Sequence, residues 1–174
     1  MQKTVPMPAL HPTEPNFSKS EFKAALSMFA TGVTIVTART ESGALVGLTA
    51  NSFNSVSLSP PLVLWSLSKA ASTMGVFSAG SHYAINILGA DQQDLAKRFA
   101  TQGTDRFAGV DHAEGINGAP LLSGAVAIFE CFNRSRYEEG DHVIFVGEVE
   151  HCSHVTDASP LLFHGGKFYA EHPL

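Results

Sequence analysis

The sequence contains little cysteine, little positive charge and no long hydrophobic run. Cys131 and Cys152 are the only cysteines among 174 residues, too few for a disulfide framework, and their apolar, strand-like surroundings predict two buried structural thiols. Lys and Arg together number 11 against 16 acidic residues, without a cluster, which argues against a surface for nucleic acid or anionic lipid. No apolar stretch approaches the roughly 20 residues that cross a bilayer. We therefore expect a cytoplasmic protein with no nucleic acid and no membrane among its partners.

The usual sequence signatures of nucleotide sites and hydrolases are also missing. The chain has no G-x-G-x-x-G, no G-x-x-x-x-G-K-[ST] and no G-x-S-x-G segment, so neither a Rossmann site, a P-loop nor a hydrolase elbow is predicted. His151 and His154 suggest a metal site, but in a strand their side chains point to opposite faces, so no metal is expected. Any nucleotide must be bound by other means.

One domain accounts for most of the chain. Prolines recur through residues 1–16, which predicts an extended N-terminal arm in place of an apolar signal core, followed by a single domain at residues 17–174. Ser18 followed by Glu21 forms a capping-box pattern at the start of a helix, and Gly32 is a natural stop for it.

Short segments of β type dominate the rest of the sequence. Strands are predicted at residues 33–38, 44–48, 56–58, 62–67, 83–88, 125–137, 142–155, 161–164 and 167–170, with short helices at 71–79 and 91–100. The chain lacks a regular βαβ alternation, which favours an antiparallel barrel over a doubly wound sheet. Residues 101–118 show almost no periodicity and predict a long loop that borders the functional site.

Small polar side chains occupy positions where the core of a barrel favours Val and Ile. Thr49, Asn51, Ser52, Ser55 and Ser57 lie in or beside predicted strands. Such residues leave a polar surface on which a flat heteroaromatic ligand can approach backbone N–H and C=O groups. The pattern predicts a cradle for a cofactor.

An anion site is suggested by Lys69, Ser72 and Thr73, which combine a cation, two hydroxyls and the free N–H groups of a helix start. The alternative is an ordinary helix cap, the usual role of Ser and Thr at such positions. Arg106, in the irregular loop, is either a second anion contact or a salt-bridged surface residue.

Two further polar residues each allow a structural and a functional interpretation. His142 follows a tight turn at a strand start, where it either stacks on a bound ring or is a surface turn histidine. Asn86 interrupts an apolar strand, and a buried amide without partners costs roughly 1 to 3 kcal/mol. It therefore bonds either neighbouring backbone or a ligand's hydroxyl groups.

Several motifs together resemble the small NAD(P)H-dependent flavin reductases that supply two-component flavin monooxygenases. The motifs lie at residues 29–36, 47–57 with Pro60 and Pro61, 84–88, 95–99, 140–142 and 146–149, and the resemblance runs from about Phe22 to Tyr169. It implies a mainly β fold with flanking helices, an antiparallel Greek-key split β-barrel of the FMN-binding type. It also implies a homodimer in which flavin lies across one face of the barrel.

The resemblance carries roles onto individual residues. His142 matches the family histidine associated with the nicotinamide, as a catalytic and substrate-binding residue, and Tyr169 lies near the same cleft. The implied flavin contacts are Thr49, Ala50, Asn51 and Ser52 at the isoalloxazine edge, Ser55, Val56 and Ser57 at the ribityl chain, Ser66, Leu67, Ser68, Lys69, Ser72 and Thr73 at the phosphate, and Ala84, Ile85, Asn86, Phe99 and Arg106 elsewhere.

The activity that the resemblance implies is hydride transfer from NADH or NADPH to FMN or FAD, with reduced flavin passed to a partner monooxygenase. Neither nicotinamide and neither flavin is selected by the sequence. Two alternatives stay open: an oxidase of the pyridoxamine-phosphate type, for which basic residues are sparse, and a non-catalytic flavin- or haem-binding protein of the same barrel.

Overall fold

The computed structural model describes residues 14–103 and 105–172, so most of the predicted arm at 1–16 lies outside it. The predicted capping box is present, since Glu21 N donates to Ser18 Oγ and Ser18 N donates to the Glu21 carboxylate. The elements are α1 (Lys19–Ser27), β1 (Thr31–Gly32), β2 (Thr34–Arg39), β3 (Leu45–Ala50), β4 (Asn54–Leu58), β5 (Pro61–Ser68), α2 (Met74–Ala79), β6 (His82–Ile87), α3 (Gln93–Ala100), β7 (His112–Glu114), β8 (Pro120–Leu122), β9 (Ala127–Glu139), β10 (His142–His154), β11 (Leu161–His164) and β12 (Lys167–Ala170).

Seven of the strands form one antiparallel sheet in the order β3-β2-β6-β9-β10-β5-β4. The predicted mainly β, antiparallel barrel is confirmed, with short helices beside it. The predicted loop at 101–118 contains β7, which pairs with β8. The segment around β7 lacks the sustained alternation of apolar and polar side chains that would have predicted a strand. None of the helices in the described ranges is long and apolar enough to cross a membrane.

The curled sheet brings β3, at one end of the strand order, next to β5, the second strand from the other end, without a ladder between them. Ser52 follows β3, and its Oγ accepts a hydrogen bond from Ser66 N at 2.9 Å and donates one to Ser66 O at 3.1 Å. β3 pairs only with β2, and beyond Leu64 β5 pairs only with β10. One row of backbone polar groups on each strand is therefore left without a strand partner beside this junction.

A cluster of aromatic side chains packs inside the barrel directly behind the junction. Trp65 stacks on Phe145 with ring centroids 4.9 Å apart. Phe77 meets both of these rings edge on, and Tyr83 meets Trp65 edge on. Each such ring buries about 150 to 250 Å². The cluster holds β5, β6, β10 and α2 together, and so fixes the strand that carries Ser66.

The two cysteines have different surroundings. Cys131 is fully buried, as predicted, and burial raises its pKa to about 12, so its thiol is neutral at ordinary pH. The prediction of a buried thiol is wrong for Cys152, which is exposed. β5 pairs with β10 only as far as Glu148, so the following residues of β10 have β9 as their only strand neighbour.

Asn86 holds three segments together inside the barrel. Its Nδ2 donates to Ile35 O at 3.0 Å and to Thr37 Oγ1 at 3.1 Å, while its Oδ1 accepts from Leu122 N at 2.8 Å. The side chain is 0% exposed. These three hydrogen bonds support the structural interpretation of the Asn86 amide.

Replacing this amide should destabilise the fold. Asn86→Ala leaves the Leu122 N–H without its acceptor and opens a small void, which together should lower the free energy of unfolding by about 3 kcal/mol. Urea denaturation measures the change, with Asn54→Ala, at an exposed position of β4, as the control. A loss below 0.5 kcal/mol for Asn86→Ala would contradict the structural role.

Candidate functional site

A cleft of about 340 Å³ lies at the junction between β3 and β5. Its walls are residues 48–52 from one strand and 66–68 from the other, with Ala71 and His142 at its rim. The sequence-predicted group Thr49, Ala50, Asn51, Ser52, Ser66, Leu67, Ser68 and His142 is thus brought together. Because these strand edges lack a ladder, backbone donors and acceptors line the cleft next to small side chains.

Among the described residues, the polar side chains of the cleft that make no hydrogen bond are those of Asn51 and Ser66, and Asn51 is the more exposed of the two. Thr49 Oγ1 donates to Ala96 O at 2.6 Å and ties β3 to α3, and the Ser52 hydroxyl is used on Ser66. Among the described residues no hydrogen bond involves the Asn51 amide, and the residue is exposed. Thr49 and Ser52 shape the cleft, while Asn51 offers it a donor and an acceptor.

His142 is oriented by its neighbours. It begins β10 after a turn in which Gly140 adopts a φ of 56°, a conformation that favours glycine. Its Nδ1 lies 2.7 Å from Asp141 Oδ1, and the hydrogen bond and charge of His142 lower the pKa of that carboxylate. An ionised carboxylate can only accept, so Nδ1 carries a proton and Nε2 is left for another partner. Lys69 N also donates to Asp141 O, which fixes the turn against β5.

A second cavity, of about 410 Å³, continues along β3. Residues 45–47 form one wall, and Ser72, Thr73 and Arg106 lie on the other sides. Arg106 Nη1 donates to Gly47 O at 2.6 Å and its Nε to Thr101 O at 3.0 Å, which anchors the guanidinium. Thr73 makes no capping bond with its side chain. Three of the residues predicted to contact an anion therefore meet here.

Lys69 lies apart from that group. Its Nζ is 3.0 Å from Glu138 Oε2, and the residue lines neither of the two cavities just described. Glu138 belongs to the hairpin that leads to His142. Lys69 therefore connects β5 to the hairpin, in an exposed ion pair of a kind that contributes little stability.

The other predicted contacts lie outside the cleft and the second cavity. Ser55, Val56 and Ser57 lie on β4, at the outer end of the sheet order, and Tyr169 is 46% exposed on β12. Ala84, Ile85, Asn86 and Phe99 are each 0% exposed. The predicted flavin contacts at seven of these positions, and the predicted substrate contact at Tyr169, gain no support from where the side chains lie.

Two features of the site escaped sequence analysis. A Cβ on Gly47 would lie 2.8 Å from Phe99 Cε1, so only glycine lets β3 pass this close to α3. The position of Gly47 within a predicted strand is the sequence signal that could have indicated this close approach. Phe163 and Phe168 line a third cavity of about 220 Å³ beside Thr49 and Asn51, and nothing local in the sequence distinguishes them from core residues.

No three His, Cys, Asp or Glu side chains within 14–103 and 105–172 are arranged to hold a metal ion.

Comparison with known proteins gives consistent matches. The model of the flavin reductase-like domain matches residues 26–172. The FMN reductase (NADH) SmoA of Agrobacterium fabrum is 44% identical over 95% of this chain and 94% of its own length. The reductase subunit HsaB of a flavin-dependent monooxygenase from Rhodococcus jostii is 35% identical over 87% of this chain and 77% of its own. Among solved structures, the NADH:FAD oxidoreductase SgcE6 of Streptomyces globisporus C-1027, in complex with NAD and FAD fragments, has a TM-score of 0.84 and 41% identity over 88% of this chain and 93% of its own.

Proposed function

This chain belongs to the flavin reductase-like domain family, and from that premise we propose that it is an NAD(P)H:flavin oxidoreductase which passes reduced FMN or FAD to a partner monooxygenase. The observation that carries the proposal is the cleft between β3 and β5, with Asn51 inside it and His142 at its rim. The names of SmoA and SgcE6 describe NADH-dependent reduction of a flavin, and the name of HsaB describes the reductase subunit of a flavin-dependent monooxygenase. They favour an enzyme over the non-catalytic binding protein.

The polar groups of the two neighbouring cavities fit a flavin mononucleotide. The strand edges and the Asn51 amide offer hydrogen bonds to the polar edge of a flat ring. The neighbouring cavity offers the Arg106 guanidinium and the Ser72 and Thr73 hydroxyls to a phosphate. The ring end and the charged end of the ligand thus have separate places along β3.

A flavin held by the residues of the cleft would supply the acceptor for the hydride that a nicotinamide carries. The chain's own task is to bind and align the two rings, since holding reactants in the right geometry supplies much of the rate of such a transfer. Backbone N–H groups of the cleft would also stabilise negative charge on a flavin ring held there. His142, oriented by Asp141, presents Nε2 to the nicotinamide.

The predicted homodimer and domain limits belong to the same proposal. Phe22, Leu26 and Phe29, on and just after α1, are 51%, 57% and 74% exposed. An apolar patch of this kind is typical of a protein interface. We place the contact between two copies here and assign residues 17–174 to one catalytic domain.

The direct test is to follow NAD(P)H absorbance with the purified protein, with and without FMN or FAD. We expect oxidation of NADH or NADPH that depends on added flavin, because the protein aligns the two rings. Bovine serum albumin at equal concentration is the control for the uncatalysed reaction. Tight flavin binding without turnover would instead favour the non-catalytic binding protein.

His142→Ala should raise the KM for the nicotinamide about tenfold, equivalent to about 1.4 kcal/mol of lost interaction. Flavin affinity should change less than twofold, because the strand edges that hold the ring remain. Steady-state kinetics and a fluorescence titration with flavin measure the two effects, with His154→Ala, at the exposed far end of β10, as the control. Equal losses in both quantities would remove His142 from the nicotinamide site.

The contributions of Arg106 and Lys69 to phosphate binding can be compared by measuring the affinity of each variant for FMN and for riboflavin, which lacks the phosphate. Arg106→Ala should weaken FMN binding about tenfold and in a salt-sensitive way, while riboflavin binding stays within twofold. Lys69→Ala should have the smaller effect because its ammonium is paired with Glu138. A selective loss of FMN affinity in Lys69→Ala alone would assign the phosphate to Lys69 instead of Arg106.

A further inference from the structure

The end of the hairpin between β9 and β10, which carries His142, has few strand contacts. β9 pairs with β6 only as far as Phe132, so residues 134–139 have β10 as their only strand neighbour in the described part of the chain. The ladder between β10 and β5 stops at the pair of His142 and Ser68. Residues 136–142, called here the hairpin end, therefore need other contacts if His142 is to keep one position beside the cleft.

Lys69 makes those contacts, to both strands of the hairpin. It is the first residue after β5, and its backbone N–H donates to Asp141 O at 2.9 Å. Its Nζ lies 3.0 Å from Oε2 of Glu138, which belongs to β9. Of the side chains at 136–139, only that of Glu138 makes a hydrogen bond or ion pair within the described ranges. Lys69 is therefore bound on either side of the turn.

The backbone of Lys69 is held by β5 and by the bend that follows it. Ala71 N donates to Ser68 O at 2.9 Å, and Ala70 N donates to Ser68 Oγ at 3.3 Å. β5 also carries Trp65, which is 0% exposed in the aromatic cluster inside the barrel. The hairpin end is thus tied to a strand whose place the core fixes.

These bonds act on the residue that orients the histidine. Asp141 accepts from Lys69 through its backbone carbonyl, and its side-chain Oδ1 lies 2.7 Å from His142 Nδ1. A shift of the hairpin end therefore moves the imidazole and its Nε2 together with Asp141. The neighbouring acidic residue, Glu139, is exposed and makes no ion pair among the residues that the structure describes.

We propose that Lys69 and Glu138 are positioning residues for His142: their ion pair, together with the Lys69 N–H bond, holds the hairpin end so that Nε2 faces the nicotinamide. The inference rests on the proposed function, and it gives Lys69 a role different from the phosphate contact that the resemblance implies. When the ion pair is absent, the hairpin end occupies the binding position for a smaller fraction of the time. The KM for the nicotinamide then rises by the inverse of that fraction, while kcat stays the same.

Lys69→Ala and Glu138→Gln each remove the ion pair, and Lys69→Arg keeps it. Glu139→Gln is the matched control, because it removes one negative charge from the same hairpin end and breaks no ion pair. We expect the KM for NADH to rise about threefold in Lys69→Ala, in Glu138→Gln and in the double variant, which is about 0.7 kcal/mol and within the range for an exposed ion pair. The kcat and the Kd of FMN should stay within about 1.5-fold. Lys69→Arg and Glu139→Gln should match wild-type protein.

Dihydronicotinamide riboside, which has the same ring as NADH but no phosphate, separates this role from a direct contact with phosphate. The rise of about threefold should persist with the riboside. A rise with NADH alone, or one in Lys69→Ala without one in Glu138→Gln, would overturn the inference, because Lys69 would then attract the phosphates of NADH by its charge. An unchanged KM in both ion-pair variants would overturn it as well.

Hydrogen exchange of the free protein gives a readout that needs no turnover. Glu138→Gln should speed exchange of the Lys69 N–H about threefold, whereas Glu139→Gln should leave it unchanged. Equal rates in both variants and wild-type protein would contradict the proposed hold on the hairpin end. Failure of the proposed function looks different, because wild-type protein would then not oxidise NAD(P)H with any flavin. The exchange rates alone would in that case decide whether the ion pair holds the hairpin end.

Discussion

The reciprocal bond between the Ser52 hydroxyl and the backbone of Ser66 is the constraint on which the site depends. It joins the ends of β3 and β5 at one residue pair, where a ladder would have joined the two strands along their length. A ladder would use up the backbone groups that line the cleft. Without any bond, the edges would part beside the buried ring of Trp65. One hydroxyl that both donates and accepts satisfies the two requirements together.

Much of the fold could be predicted because its signals are local. The two long strands β9 and β10, the hairpin between them and the Ser18 cap follow from alternation, turn chemistry and residue spacing. Local signals could not show that Cys131 is buried and Cys152 is exposed. Whether a strand position is covered depends on how far the neighbouring strand extends, and β5 stops pairing with β10 before Cys152 is reached.

The site shows the same division between local and distant signals. Thr49 to Ser52 share a cavity with Ser66 to Ser68 because runs of small polar residues end up on facing strand edges. The sequence left open whether Asn86 bonds backbone or a ligand, because its partners Ile35 and Leu122 are distant in the chain. Lys69 likewise has a distant partner, Glu138. Charge and polarity indicate that a residue has a partner, while topology decides which one.

The different surroundings of the two thiols have a practical consequence for measurement. Cys152 is exposed near the far end of β10, ten residues along the strand from His142, or roughly 30 Å. Cys131, the other cysteine of the chain, is buried and neutral. A maleimide dye added to the unaltered protein should therefore attach at one place, far from the cleft. Cys152 therefore allows single-site labelling, immobilisation on a surface or distance measurement by energy transfer without any substitution.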